Sequence, residues 1–178
     1  MTDDTNRNRI EREMLRHFLA AIAYRTQKAL RGAPPEFPDF DPGNQVRTPA
    51  ELLGHMTSLM GYAVTLFEGG SYPFRPERLA TWDDEVVRFH AKLEEVAGHL
   101  ERGSPLSISH QQLLQGPLAD TMTHVGQLAM LRRLAASPVA PENFIRADVR
   151  AERLGPEQPE PAAPDAVWPE RPGVSPTE

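Results

Sequence analysis

A chain of 178 residues is long enough to bury one hydrophobic core and too short for two comfortable ones. Its formal net charge of -6 comes without a basic block, whereas nucleic-acid binding draws on a positive stripe that neutralises phosphate, so no nucleic-acid partner is expected. Cysteine is absent, which removes disulfides, thiolate metal ligands and a protein thiol nucleophile. The start, Met1 to Glu13, is too polar for a signal peptide, and no apolar run approaches the ~20 residues that span a bilayer. A cytoplasmic protein with no membrane partner is expected.

The hydrophobic share of 39% is lowered mainly by one end of the chain. From Gly155 to Glu178 the sequence carries Pro156, Pro159, Pro161, Pro164, Pro169, Pro172 and Pro176 and few large apolar residues. This divides the chain into a globular part, 1–154, and a Pro-rich tail, 155–178. Val167 and Trp168 are the tail's exceptions, and they leave two readings: an extended strap docked on the globular part or on a partner subunit, anchored by Trp168, or a disordered tail with an incidental tryptophan.

Upstream of the tail, four segments repeat apolar residues at helical spacing, separated by Gly/Pro clusters. The first spans about Thr5 to Leu30, with Ile10, Met14, Phe18, Ala21 and Ile22 as its inward stripe. Gly32 and Pro34-Pro35 end it. The second starts at Thr48, with Pro49 in the first helical position and Glu51 completing a capping box. Its stripe is Leu52, Met56, Leu59, Met60, Ala63, Leu66 and Phe67, closed by Gly69-Gly70. The third starts at Thr81 and carries Val86, Phe89, Leu93, Val96 and Leu100 before Gly103. The fourth covers about His110 to Ala136, with Leu114, Leu118, Thr121, Val125, Leu128 and Leu131 inward and a kink at Gly116-Pro117. Four amphipathic helices without an alternating strand predict an all-α, antiparallel four-helix bundle.

Polar residues on these stripes are the candidates for chemistry. His55 falls between Leu52 and Leu59 on the second helix. Asp120 and His124 stand four apart, hence one turn apart on one face of the fourth. Two groups on one helix and a third from another is how bundles build metal sites, and two imidazoles with one carboxylate suit Zn²⁺ first, with Ni²⁺ or Fe²⁺ as alternatives. A histidine on an apolar stripe also serves as a hydrogen-bonded core residue, and an Asp/His pair four apart as a surface ion pair. Spacing leaves both readings open. Gln127, three residues after His124, is placed to fix an imidazole or bond a water on the metal, or to be a plain exposed amide. Ser58 and Tyr62 are candidates for a pocket mouth, His17 for a cavity edge, and His90, His99 and His110 read as solvated or helix-end residues. Arg132-Arg133 reads as a charge pair complementing the helix C-terminus.

The run Asp120-Thr-Met-Thr-His124-Val-Gly126-Gln127-Leu, continued by Ala-Met-Leu131-Arg132-Arg133-Leu, resembles the last bundle helix of the DinB/YfiT-like superfamily. Leu52-Leu53-Gly54-His55-Met56 resembles its second helix, and the likeness covers about Arg9 to Val149. The resemblance implies a divalent-metal site from His55, Asp120 and His124, with Asp120 standing where the commonest pattern has histidine. It also implies a metal-dependent enzyme acting on a small molecule. Members with known activity are often thiol S-transferases or isomerases using a low-molecular-weight thiol such as bacillithiol or mycothiol, and a hydrolase is the alternative chemistry. A non-catalytic, stress-associated metal-binding bundle is the second reading, separated from the first by whether the site opens on a pocket. Finally, Leu53 and Val64 on helix two and Leu113 and Met130 on helix four lie off the inward stripes and predict a homodimer face.

Overall fold

In the computed structural model, residues 2–165 and Trp168 are described. They form α1 (Thr2–Leu30), α2 (Pro49–Glu68), α3 (Trp82–Arg102), the single turn α4 (His110–Leu113) and α5 (Ala119–Leu134). Short 3-10 turns at Phe37–Asp39 and Phe144–Arg146 punctuate the connections, and the described residues contain no strand. The described residues therefore make an all-α fold. Both α1 and α2 pack against α3 and α5, which puts the core between them. Among the described residues no helix is long and apolar enough to cross a membrane.

The helix starts follow from local chemistry. Thr48 Oγ1 accepts from the Glu51 N–H while Glu51 accepts from the Thr48 N–H, with Pro49 in the position that needs no donor. Thr81 caps α3 through the Asp84 N–H at 3.1 Å. Ser109 and Gln112 make a second capping box on α4, which the sequence reading missed.

The expected stripes hold on α3, where Val86, Phe89, Leu93, Val96 and Leu100 are all buried, but not on α1. There Ile10 and Met14 are 44% and 68% exposed, and the buried row is Leu15, Leu19, Ile22, Thr26 and Ala29. The cause is polar: one turn before Leu15 comes Glu11, which accepts from buried His110 at 2.7 Å, so the inward face starts with a carboxylate. On the fourth segment Leu113, not Leu114, faces inward. The Leu114–Leu118 turn is a π-turn with Gly116 out of helical conformation (φ -87°, ψ -110°) and Pro117 inside it. One extra residue per turn moves the upstream register by one.

Three of the four residues expected to form a dimer face, Leu53, Val64 and Leu113, belong to the core. Only Met130 is exposed, so the homodimer loses the patch on which it was argued. The apolar arc of α2 is wider than one stripe because α2 is covered by two neighbours.

Arg132 corrects another expectation. It is buried and does not serve its own helix end. Nη1 donates to Ala29 O (2.9 Å) and Arg31 O (3.0 Å), Nη2 to Gly32 O (3.1 Å) and Ser137 Oγ (2.9 Å), and Nε to Ser137 O (2.8 Å). All five guanidinium donors are used, and they satisfy the carbonyls that the end of α1 leaves open. Gly32, at φ 63°, makes the left-handed turn that exposes those oxygens.

The described part of the tail lies against its own chain. Arg31 donates to Gln158 O and Pro159 O, and Asn143 and Asp165 exchange backbone bonds with Ala163 and Pro141. Tyr24 donates to Glu142 at 2.7 Å, tying the neighbouring segment to α1. Trp168 is buried; Val167 and the rest of the predicted strap lie outside the described residues.

His90, expected in solvent, is fully buried, and its Nδ1 donates to Leu154 O at 2.6 Å, at the entry to the tail. Burial disfavours the charged ring and pushes its pKa down from 6.5 to about 4. The unfolded chain therefore binds more protons than the folded one between those values, and stability falls as pH drops through that window. This histidine should remove about 2 kcal/mol between pH 7 and pH 5. Urea unfolding at both pH values, in chelator, should show that loss in the wild type and correspondingly less in His90→Asn. Equal losses in the two proteins would contradict the assignment.

Candidate metal centre

Each candidate side chain is positioned by an ordinary structural device. The Gly116-Pro117 break starts α5 at Ala119, so Asp120 lies in its first turn and His124 one turn on. Thr121 Oγ1 donates back to Pro117 O at 2.8 Å, closing the break. His55 lies near the middle of α2, which packs on α5.

His55, Asp120 and His124 come together, with one possible ligand atom from each and all three within 4.8 Å of one another. The two imidazole rings meet edge to face, 4.8 Å between centroids. His124 Nε2 lies 3.3 Å from Asp120 Oδ1. A tetrahedral centre with donors at ~2.1 Å sets them about 3.4 Å apart, so this pair is at coordinating separation.

The tautomer of His124 is set from behind. Its Nδ1 donates to the amide oxygen of Gln127 at 2.7 Å, which in the neutral ring leaves the lone pair on Nε2. Nε2 is buried and has no hydrogen-bond partner. It faces an Asp120 carboxylate oxygen, and either a divalent cation between the two or a proton in a His–Asp ion pair satisfies both. Gln127 thus fixes an imidazole and does not sit idle on the surface.

Gradation of burial runs across the site. His124 is buried, His55 half-buried and Asp120 exposed. Partial burial lowers the pKa of His55, with the charge of Arg47 and the neighbouring His124 acting the same way and Asp120 opposing. The neutral ring that metal binding requires is favoured.

A loop fixes the His55 side. Tyr72, Pro73 and Phe74 run along α2 against Gly61, Ser58 and His55, three positions spaced three apart. The Tyr72 ring fills the space over Gly61, Ser58 Oγ donates to Pro73 O at 2.8 Å, and Phe74 packs edge-on against His55 at 5.5 Å. Ser58 therefore holds the loop and is no pocket mouth. With Phe74, His55 lines a cavity of about 410 Å³, while Asp120 borders a separate, more open cleft of about 530 Å³ with Tyr62, Pro117 and Thr123.

The other histidines are accounted for. His17 is exposed, and His110 is buried against Glu11. His99 stacks on Phe67 and groups with Glu68 and Glu95, but the Arg102 guanidinium stands 3.1 Å from its Nδ1, a cation already beside that group that opposes a second one. Sequence reasoning missed the loop contacts because their partners are set by packing; the only local signal was Gly61 inside a helix.

No protein family, curated protein or solved structure matches this chain.

A Cβ at Gly61 would lie 2.4 to 2.5 Å from the Tyr72 ring, near its attached end, so the loop must shift. A Cβ at Gly54 meets nothing within 4 Å. Alanine should therefore cost about 1–3 kcal/mol at position 61, against alanine's helix advantage, and add up to about 1 kcal/mol at position 54. Urea unfolding of Gly61→Ala and Gly54→Ala checks this; equal effects at both would contradict the loop register.

Proposed function

We propose that the chain is an antiparallel four-helix bundle of the DinB/YfiT-like type, holding a divalent metal with His55, Asp120 and His124 and acting with it on a small molecule. The observation that carries this reading is the buried, unpartnered Nε2 of His124 aimed at the Asp120 carboxylate with His55 alongside. Support for the family comes from the motifs quoted above and from four helical segments in the expected order.

Zn²⁺ is the metal that best suits two imidazoles and one carboxylate. When bound it supplies Lewis acidity, favouring the anionic form of a thiol or a water at neutral pH. The chain's own residues do the rest. Gln127 keeps the proton on His124 Nδ1, the neutral His55 and Asp120 complete the ligand set, and Phe74 covers one side of His55.

A catalytic site is favoured over a closed structural one by two features. Among the described residues three protein ligands converge, where structural sites have four, and His55 opens onto the cavity. A thiol S-transferase using a low-molecular-weight thiol and a hydrolase both fit this arrangement.

Full-length protein titrated with Zn²⁺ by calorimetry and thermal unfolding tests the ligand set. The wild type should bind one ion and gain about 2.7 kcal/mol at a hundredfold excess over Kd. Asp120→Ala should lose at least tenfold in affinity, Asp120→His should retain binding, and Gln127→Leu should lose roughly 10- to 100-fold. Equal affinity in all four proteins would remove these residues from the site.

A further inference from the structure

The cavity beside His55 is lined by four arginines, Arg47, Arg75, Arg78 and Arg88, against two acids, Glu51 and Glu85, in a chain whose net charge is -6. Most of these groups are already committed. Glu51 closes the α2 capping box, and Glu85 accepts from the Leu79 N–H and pairs with Arg88. Arg78 pairs with Asp39 at the outer rim, and Arg88 also donates to Glu77 O. Arg47 and Arg75 have neither a hydrogen bond nor an ion pair among the described residues, and the Nε of Arg88 is buried without a partner. The cavity therefore carries uncompensated positive charge and free guanidinium donors.

Its floor is unobstructed. Gly54 lies in the lining, and a Cβ there would meet nothing within 4 Å, so close packing does not call for the glycine. Phe74, 63% exposed, gives one wall an apolar surface.

We propose that this cavity binds a small organic carboxylate, its anionic end held by Arg47 and Arg75 and its apolar body beside Phe74, leaving the other end at His55. Guanidinium forks match carboxylate oxygens two at a time, and the same chemistry admits a phosphate group. Carboxylate is favoured because the N-terminus of α2, the usual home of a phosphate, has few donors to give. Pro49 has no N–H and the Glu51 N–H is taken by Thr48, which leaves one N–H of the first turn, that of Ala50. The assignment names the substrate class of the centre proposed above and rests on that reading for its role in catalysis, but the cavity's charge is independent of the metal.

The test is calorimetry on the full chain, both in chelator and with Zn²⁺, using succinate, its neutral diamide and inorganic phosphate as probes. Succinate should bind in both states, at least tenfold tighter than the diamide. Arg47→Gln/Arg75→Gln should reduce succinate affinity at least tenfold, and Gly54→Leu, which fills the floor, should abolish it. Zn²⁺ affinity should stay within about threefold of wild type in both variants. Phosphate binding without succinate binding would overturn the carboxylate assignment, and so would succinate binding that ignores all three substitutions. Loss of Zn²⁺ binding in the wild type with succinate binding intact would overturn only the metal reading, so the two failures are distinguishable.

Discussion

The placement of α5 depends on one buried cation. Arg132 spends its five donors on the carbonyls left open at the end of α1 and on Ser137, so the C-terminal part of α5 is tied to the C-terminus of α1. A buried guanidinium is tolerated because every N–H is satisfied, and the helix end is tolerated for the same reason. Lysine could not repeat this, having three donors on a single point. Helical rise then puts His124 about 12 Å up the helix from Arg132, two turns away, on the face shared with Leu128 and Leu131. The other end of the segment is fixed by the break at Gly116-Pro117. Between these two restraints, Asp120 and His124 have little choice but to face α2.

Across the gap, α2 is held in register by the loop that follows it. The contacts of Tyr72, Pro73 and Phe74 with Gly61, Ser58 and His55 order that loop and cover His55 on one side. The same loop continues into Arg75, so one short segment shapes both the candidate metal centre and the cationic cavity beside it. Rigid support of this kind is what a site needs when its ligands come from separate elements.

Much of this was legible in the sequence where the cause is local. The Thr48-Pro49-Glu51 start, the Thr81 start and the break at Gly116-Pro117 are settled within four residues of chain, and all three are found as read. Periodicity put His55 and His124 toward inward faces and Asp120 one turn from His124, but it left an ion pair and a metal site both open; the set of three was named through the resemblance, and Asp120 itself is exposed. What could not be read depends on distant partners. Glu11 turns the face of α1 through His110, 99 residues away, and His90 is buried by Leu154, 64 residues away. Leu53 and Val64 looked peripheral only because a single stripe was assumed for a helix with two neighbours. The arginine cavity was illegible for the same reason: its charges come from two loops and from the first turns of α2 and α3.

The central claim is that two imidazoles and one carboxylate hold a single divalent ion. X-ray absorption at the zinc edge on the protein loaded with one equivalent of Zn²⁺ tests it most directly. The account predicts a low-coordinate shell of nitrogen and oxygen at ~2.0–2.1 Å with outer-shell scattering from two imidazoles, reduced to one in His55→Gln. A shell of six oxygens without imidazole scattering, or a spectrum unchanged by His55→Gln, would contradict it.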